Sequence, residues 1–60
     1  MEKGLEYLLK MTMGTLDVSR VEAAKILLEA TKRRIAVNNK PNDKLMEQRL
    51  LSFLDTHKED

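Results

Sequence analysis

The chain has 60 residues, enough for a single small domain spanning 1–60 but too few for a large hydrophobic core. It has no cysteine and one histidine, which excludes disulfides and argues against a structural zinc site. Hydrophobic residues make up 42% and charged residues 35%, a globular balance, and the net charge of +1 excludes an acidic mimic of DNA.

The sequence predicts a cytoplasmic protein without a membrane partner. No apolar run has the length of a membrane span, and the segment MEKGLEYLLK lacks the basic region and cleavage site of a signal peptide. Positive charge is concentrated in the middle, since residues 18–40 hold six basic and two acidic residues between flanks that are net acidic. We expect the flanks to neutralise part of this charge in the folded chain.

A first helix is predicted over residues 2–13. At 100° per residue its apolar face is formed by Leu5, Leu8, Leu9, Thr12 and Met13, with Lys3, Glu6 and Lys10 opposite. Gly14 is expected to end this helix in a left-handed conformation, and Leu16 to make the accompanying apolar contact. The alternation in residues 11–18, MTMGTLDV, also permits a short extended segment.

A central helix is predicted over residues 19–37. Ser19 and Glu22 have the spacing of a capping box, while Asp17 is a rival N-cap two residues earlier. One apolar stripe contains Val21, Ala24, Leu27, Leu28, Thr31 and Ile35, and an adjacent sector contains Ala23, Ile26, Ala30 and Val37. A single neighbour cannot cover both, so we expect this helix to be packed on two sides.

A third helix is predicted over residues 43–57, capped by Asn42 or Asp43 and separated from the central helix by NNKPN. Its apolar face is formed by Met46, Leu50, Phe53, Leu54 and His57. The second and third helices thus form an αα-hairpin. The expected fold class is all-α, a small three-helix domain around a central helix, with spare apolar surface for dimerisation.

The sequence does not predict an enzyme. His57 is the one imidazole, and its place near the end of the third helix favours a helix-capping or packing role over catalysis. The two glycines stand apart, so no glycine-rich loop could cradle a phosphate. We therefore expect no catalytic residues, no metal, no cofactor and no small-molecule substrate.

Nucleic acid is the alternative partner. A small DNA-binding regulator would use basic residues on phosphates, and the candidates are Lys32, Arg33, Arg34 and Arg49. Consecutive helical residues lie 100° apart, so the triplet points around the helix rather than toward one duplex. With two aromatic residues, Tyr7 and Phe53, a stacking platform for single strands is not expected.

The favoured hypothesis is a regulatory or inhibitory protein that binds another protein stoichiometrically and forms a homodimer. Its basis is a two-sided apolar helix in a chain too short to cover it. The predicted apolar contacts are Tyr7, Met11 and Leu51, with a polar rim of Arg33, Arg34 and Lys40. The length and all-α fold class of the chain resemble those of small bacterial or phage regulators. This analogy does not identify any functional residue.

Overall fold

The computed structural model describes residues 3–57 and contains three α-helices over that range. They are α1 (Lys3–Leu16), α2 (Arg20–Val37) and α3 (Pro41–Thr56). The predicted all-α fold with three helices and an αα-hairpin of α2 and α3 is confirmed. Residues 11–16 are helical, so the extended alternative for MTMGTLDV is wrong. Glu2, where the first helix was predicted to begin, lies outside the described residues.

The end of α1 differs from the prediction. Gly14 is a helical residue, and the left-handed residue is Asp17, with φ of 55°. The Val18 N–H donates to the Met13 carbonyl at 3.3 Å, the long bond of a Schellman motif with Asp17 at C′. Val18 and Met13, rather than the exposed Leu16, pack against the core. The apolar contact of Val18 therefore places the turn three residues later than Gly14 suggests.

The ends of α2 lie where the sequence predicts them. Ser19 is the N-cap, and its Oγ accepts a hydrogen bond from the Glu22 N–H at 3.2 Å. The rival cap, Asp17, belongs instead to the turn after α1. At the other end the Asn38 N–H donates to the Arg34 carbonyl at 2.7 Å, and the Asn38 backbone is extended rather than left-handed.

The start of α3 also differs from the prediction. The helix begins at Pro41 with Lys40 as N-cap, and neither Asn42 nor Asp43 is the capping residue. The residue before a proline is held in an extended conformation, and proline suits the first helical position because the N–H it lacks has no partner there. At the other end His57 is the C-cap of α3, as its helix-end position predicts.

The core lies around α2, which packs against both other helices, while α1 and α3 contact each other much less. The prediction of a two-sided central helix is thus confirmed. Ala23, Ala24, Leu28 and Thr31 of α2 are buried. Ala23, Ala24 and Leu28 form one cluster with Leu5 and Leu9 of α1 and Leu50 of α3. The two alanines let a neighbouring helix approach closely, since a small side chain keeps the interaxial distance short.

Gly14→Ala is expected to stabilise the folded monomer by roughly 0.5–1 kcal/mol, because glycine inside a helix is less favourable than alanine. A Cβ added at Gly14 meets nothing within 4 Å, so no clash offsets this gain. Urea denaturation at low micromolar concentration measures the change. Gly4→Ala, in the first turn, is the control with a smaller gain. A loss of stability in Gly14→Ala at that concentration would contradict the open environment seen around Gly14.

Candidate functional site

A cleft of about 340 Å³ lies at the corner where α2 ends and α3 begins. We call it the α2–α3 corner, and its lining residues are Arg33, Arg34, Val37, Asn38, Lys40 and Asp43. It forms because the short connection at residues 38–40 reverses the chain, which brings the last turn of α2 beside the first turn of α3. All three residues of the predicted polar rim, Arg33, Arg34 and Lys40, meet in this cleft.

Arg34 ties the two helices together at this corner. Its Nε lies 3.2 Å from Asp43 Oδ1, and its Nη2 donates to Thr31 Oγ1 at 3.3 Å. The Thr31 hydroxyl, almost fully buried, donates in turn to the Leu27 carbonyl at 2.8 Å. Thr31 is one turn before Arg34, so helix geometry aligns them, while Asp43 comes from the first turn of α3. The Arg34 side chain is therefore held in place.

The basic residues of the nucleic-acid hypothesis do not share one surface. Arg33 and Arg34 line the α2–α3 corner, with Arg34 engaged by Asp43. Lys32 is exposed. Arg49 is half-buried on α3 and lines clefts beside α1, together with Leu5. Arg49 thus lines different clefts from those of Arg33 and Arg34.

The predicted apolar contacts lie on different helices. Tyr7 and Met11 are exposed one turn apart on α1, and Leu51 is exposed on α3, next to the buried Leu50. Met11 also lines a groove of about 260 Å³ between α1 and α2, whose other lining residues are Leu8, Thr12, Thr15, Leu16 and Ile26. The structure therefore gathers Tyr7 and Met11 on α1 but not Leu51 with them.

Within residues 3–57, three exposed large apolar residues, Leu16, Val37 and Leu45, are not among the predicted apolar contacts. Leu16 is half exposed and lines the groove beside Met11, because Val18 makes the apolar contact at the end of α1 that was expected of Leu16. Val37 is 87% exposed, although its sequence position places it in an apolar sector of α2. The exposure of Val37 could have been inferred from its position in the last turn of α2, which extends beyond the core.

Four exposed uncharged residues of α1 form a stripe on its outward side, away from the core. Gly4, Tyr7, Met11 and Gly14 are all exposed and recur at intervals of three, four and three residues. On a helix this spacing keeps them on one side. Glu6 lies off this stripe and pairs with Arg20 of α2 at 3.1 Å. We call these four residues the α1 stripe.

His57 has a packing role at the end of α3. Its ring stacks on Phe53 with a centroid distance of 4.1 Å and an interplanar angle of 20°, and its Nδ1 lies 2.9 Å from the Phe53 carbonyl oxygen. Within residues 3–57, no three His, Asp or Glu side chains converge as metal ligands. No helix in the same range is both long and apolar enough to span a bilayer.

Comparison with known proteins adds no relative: no protein-family model, no curated protein and no solved structure matches this chain.

The Arg34–Asp43 pair is expected to contribute a coupling energy of a few tenths of a kcal/mol to about 1 kcal/mol, because exposed ion pairs are screened. The Arg34 side chain is 56% exposed, so the lower end of that range is expected at physiological salt. A double-mutant cycle with Arg34→Gln and Asp43→Asn, read by urea denaturation at two salt concentrations, measures it. Lys32→Gln, which removes a neighbouring cation, is the control. A coupling of zero at low salt would contradict the pairing.

Proposed function

We propose that this chain is a non-enzymatic regulatory protein that acts by stoichiometric protein binding and forms a homodimer through the outward side of α1. The observation that carries the proposal is the α1 stripe with Tyr7 and Met11 at its centre. These are large apolar side chains exposed on a helix whose opposite face already fills the core. Apolar surface on both sides of one short helix is typical of an element that packs between two bodies.

The spacing of the α1 stripe suits a second copy of the same helix. Its four residues are placed symmetrically about Leu9, so a two-fold antiparallel pairing brings Tyr7 of one copy against Met11 of the other. The same pairing sets Gly4 opposite Gly14. Glycine lets backbones approach closely, and a thioether against an aromatic ring is a favourable contact.

The groove beside the α1 stripe extends the proposed interface onto α2. Leu16 of α1 and Ile26 of α2 line it along with Met11, so apolar contact continues from the stripe onto α2. A standard interface covers roughly 800 Å² on each partner. The whole chain exposes 4469 Å², so an interface of that size would cover a minor fraction of its surface. We expect one face of α1 together with the groove to provide this area. We expect a reversible dimer, with the α2–α3 corner left open in each copy.

Duplex DNA is the rival partner, because Lys32 and Arg33 are exposed cations. Binding to phosphates weakens steeply between low and physiological salt, whereas a mainly apolar interface responds little. The scattered positions of Arg33 and Arg49 support the protein-binding hypothesis over the DNA-binding one.

Tyr7→Glu is expected to convert the dimer to a monomer, since it places a charge at the centre of an apolar contact. Light scattering on a sizing column, over a concentration series, should move from about twice 6.9 kDa toward 6.9 kDa. The fold should survive because Tyr7 is exposed, and circular dichroism checks this.

Val37→Glu is the matched control for Tyr7→Glu. It puts the same charge on an exposed apolar position at the end of α2, in the corner that the dimer leaves open, and should leave the mass unchanged. If the unmodified chain has the monomer mass at every concentration, or if Tyr7→Glu keeps the dimer mass, the α1 interface is wrong.

A further inference from the structure

The α2–α3 corner combines an exposed apolar residue with two cations that no ion pair engages among residues 3–57. Val37 is the most exposed of the large hydrophobic side chains in the described part of the chain. Beside it, Arg33 and Lys40 are exposed and form no salt bridge within residues 3–57, whereas Arg34 is engaged by Asp43. The corner thus offers an apolar contact bounded by positive charge.

The net charge of the corner favours an anionic partner. Asp43 contributes one carboxylate to the lining, but Arg34 lies 3.2 Å from it and offsets its charge. Two full cations, Arg33 and Lys40, remain. The C-terminus of α2 and the N-terminus of α3 meet here, and their macrodipoles contribute about half a charge each with opposite sign. The field of the corner is therefore set by the two cations.

The backbone at the start of α3 adds few hydrogen-bond donors to the corner. Pro41 has no N–H, and the N–H groups of Asp43 and Lys44 donate to the Lys40 carbonyl at 3.1 Å. The attraction for an anion therefore comes from the cationic side chains rather than from the helix end.

We infer that the α2–α3 corner binds an acidic peptide segment in which a leucine-like side chain covers Val37 and flanking carboxylates meet Arg33 and Lys40. The inference rests on the proposed function in one respect, that the partner is a protein. It concerns a different surface: Val37 lies eleven residues beyond Ile26, about 16 Å further along α2 than the groove beside α1.

A nucleic acid would use this corner poorly. A duplex is held by several phosphate contacts, and the corner supplies only two cations that lack an ion-pair partner in the described part of the chain, together with a carboxylate. An exposed valine has no role in phosphate binding, whereas it adds affinity for an apolar side chain.

The test is a titration of the ¹⁵N-labelled chain with a synthetic heptapeptide, one leucine flanked by three glutamates on each side, at physiological salt. Amide shifts are expected to cluster at Val37, Asn38 and Lys40. Replacing the leucine of the peptide by glycine should weaken binding about tenfold, as should Val37→Ser, because each removes the buried apolar contact. The double variant Arg33→Gln with Lys40→Gln should abolish the clustered shifts.

Lys10→Gln with Lys25→Gln is the matched control, since it removes two exposed cations elsewhere and should leave the affinity unchanged. Shifts spread over all lysines, or no shifts at millimolar peptide, would overturn the inference. A different pair of results would also overturn it. In that case a 12-base-pair DNA duplex shifts the amides of the corner, and neither Val37→Ser nor the leucine-to-glycine change in the peptide alters the peptide affinity. Tyr7→Glu separates this test from that of the dimer, because the monomeric variant should bind the peptide with the same affinity.

Discussion

The packing of α2 on two sides is the constraint on which the rest of this small protein depends. Ala23 and Ala24 are completely buried, and Leu28 packs with them against side chains from both neighbouring helices. Six buried hydrophobic residues form the core within residues 3–57, and three of them come from α2. Because α1 and α3 contact each other little, α2 alone determines where the other helices lie.

This arrangement explains why the surface is divided into two regions. The side of α1 that faces α2 is occupied by the core, and its opposite side, with Tyr7 and Met11, has no neighbour among the described residues. The last turn of α2 extends past the core, which exposes Val37 and brings Arg33 beside the start of α3. The first region presents exposed apolar side chains and the second combines Val37 with basic residues, and this difference underlies their separate assignment to a second copy and to an acidic segment.

The sequence predicted the helices and the two-sided packing because apolar periodicity reports directly on burial. It predicted the end of α1 and the start of α3 less well. Gly14 was the stronger local stop signal, but Asp17 ends α1 because Val18 then reaches the core. Asn42 and Asp43 were good caps by residue type, yet Pro41 at the first helical position places the start earlier. At the end of α1, the packing of Val18 against the core therefore decided between Gly14 and Asp17 as the residue that ends the helix.

Apolar periodicity also predicted which apolar candidates of the site are exposed. Tyr7, Met11 and Leu51 lie off the apolar stripes, and all three are exposed. The engagement of Arg34 by Asp43, and the position of Arg49 beside α1, depend on how the helices cross. Periodicity within one helix does not contain that information, so the sequence alone could not show that Arg49 lies apart from Arg33 and Arg34.

The central claim, an antiparallel pairing of α1 with α1 of a second copy, is tested most directly by disulfide trapping. The chain has no cysteine, and an added Cβ at Gly4 or Gly14 meets nothing within 4 Å, so each position can take a cysteine. On mild oxidation, a mixture of Gly4→Cys and Gly14→Cys chains should form the mixed dimer well above either like pair, because only opposite ends of the α1 stripe face each other. Equal amounts of mixed and like pairs, or no covalent dimer, would contradict the account.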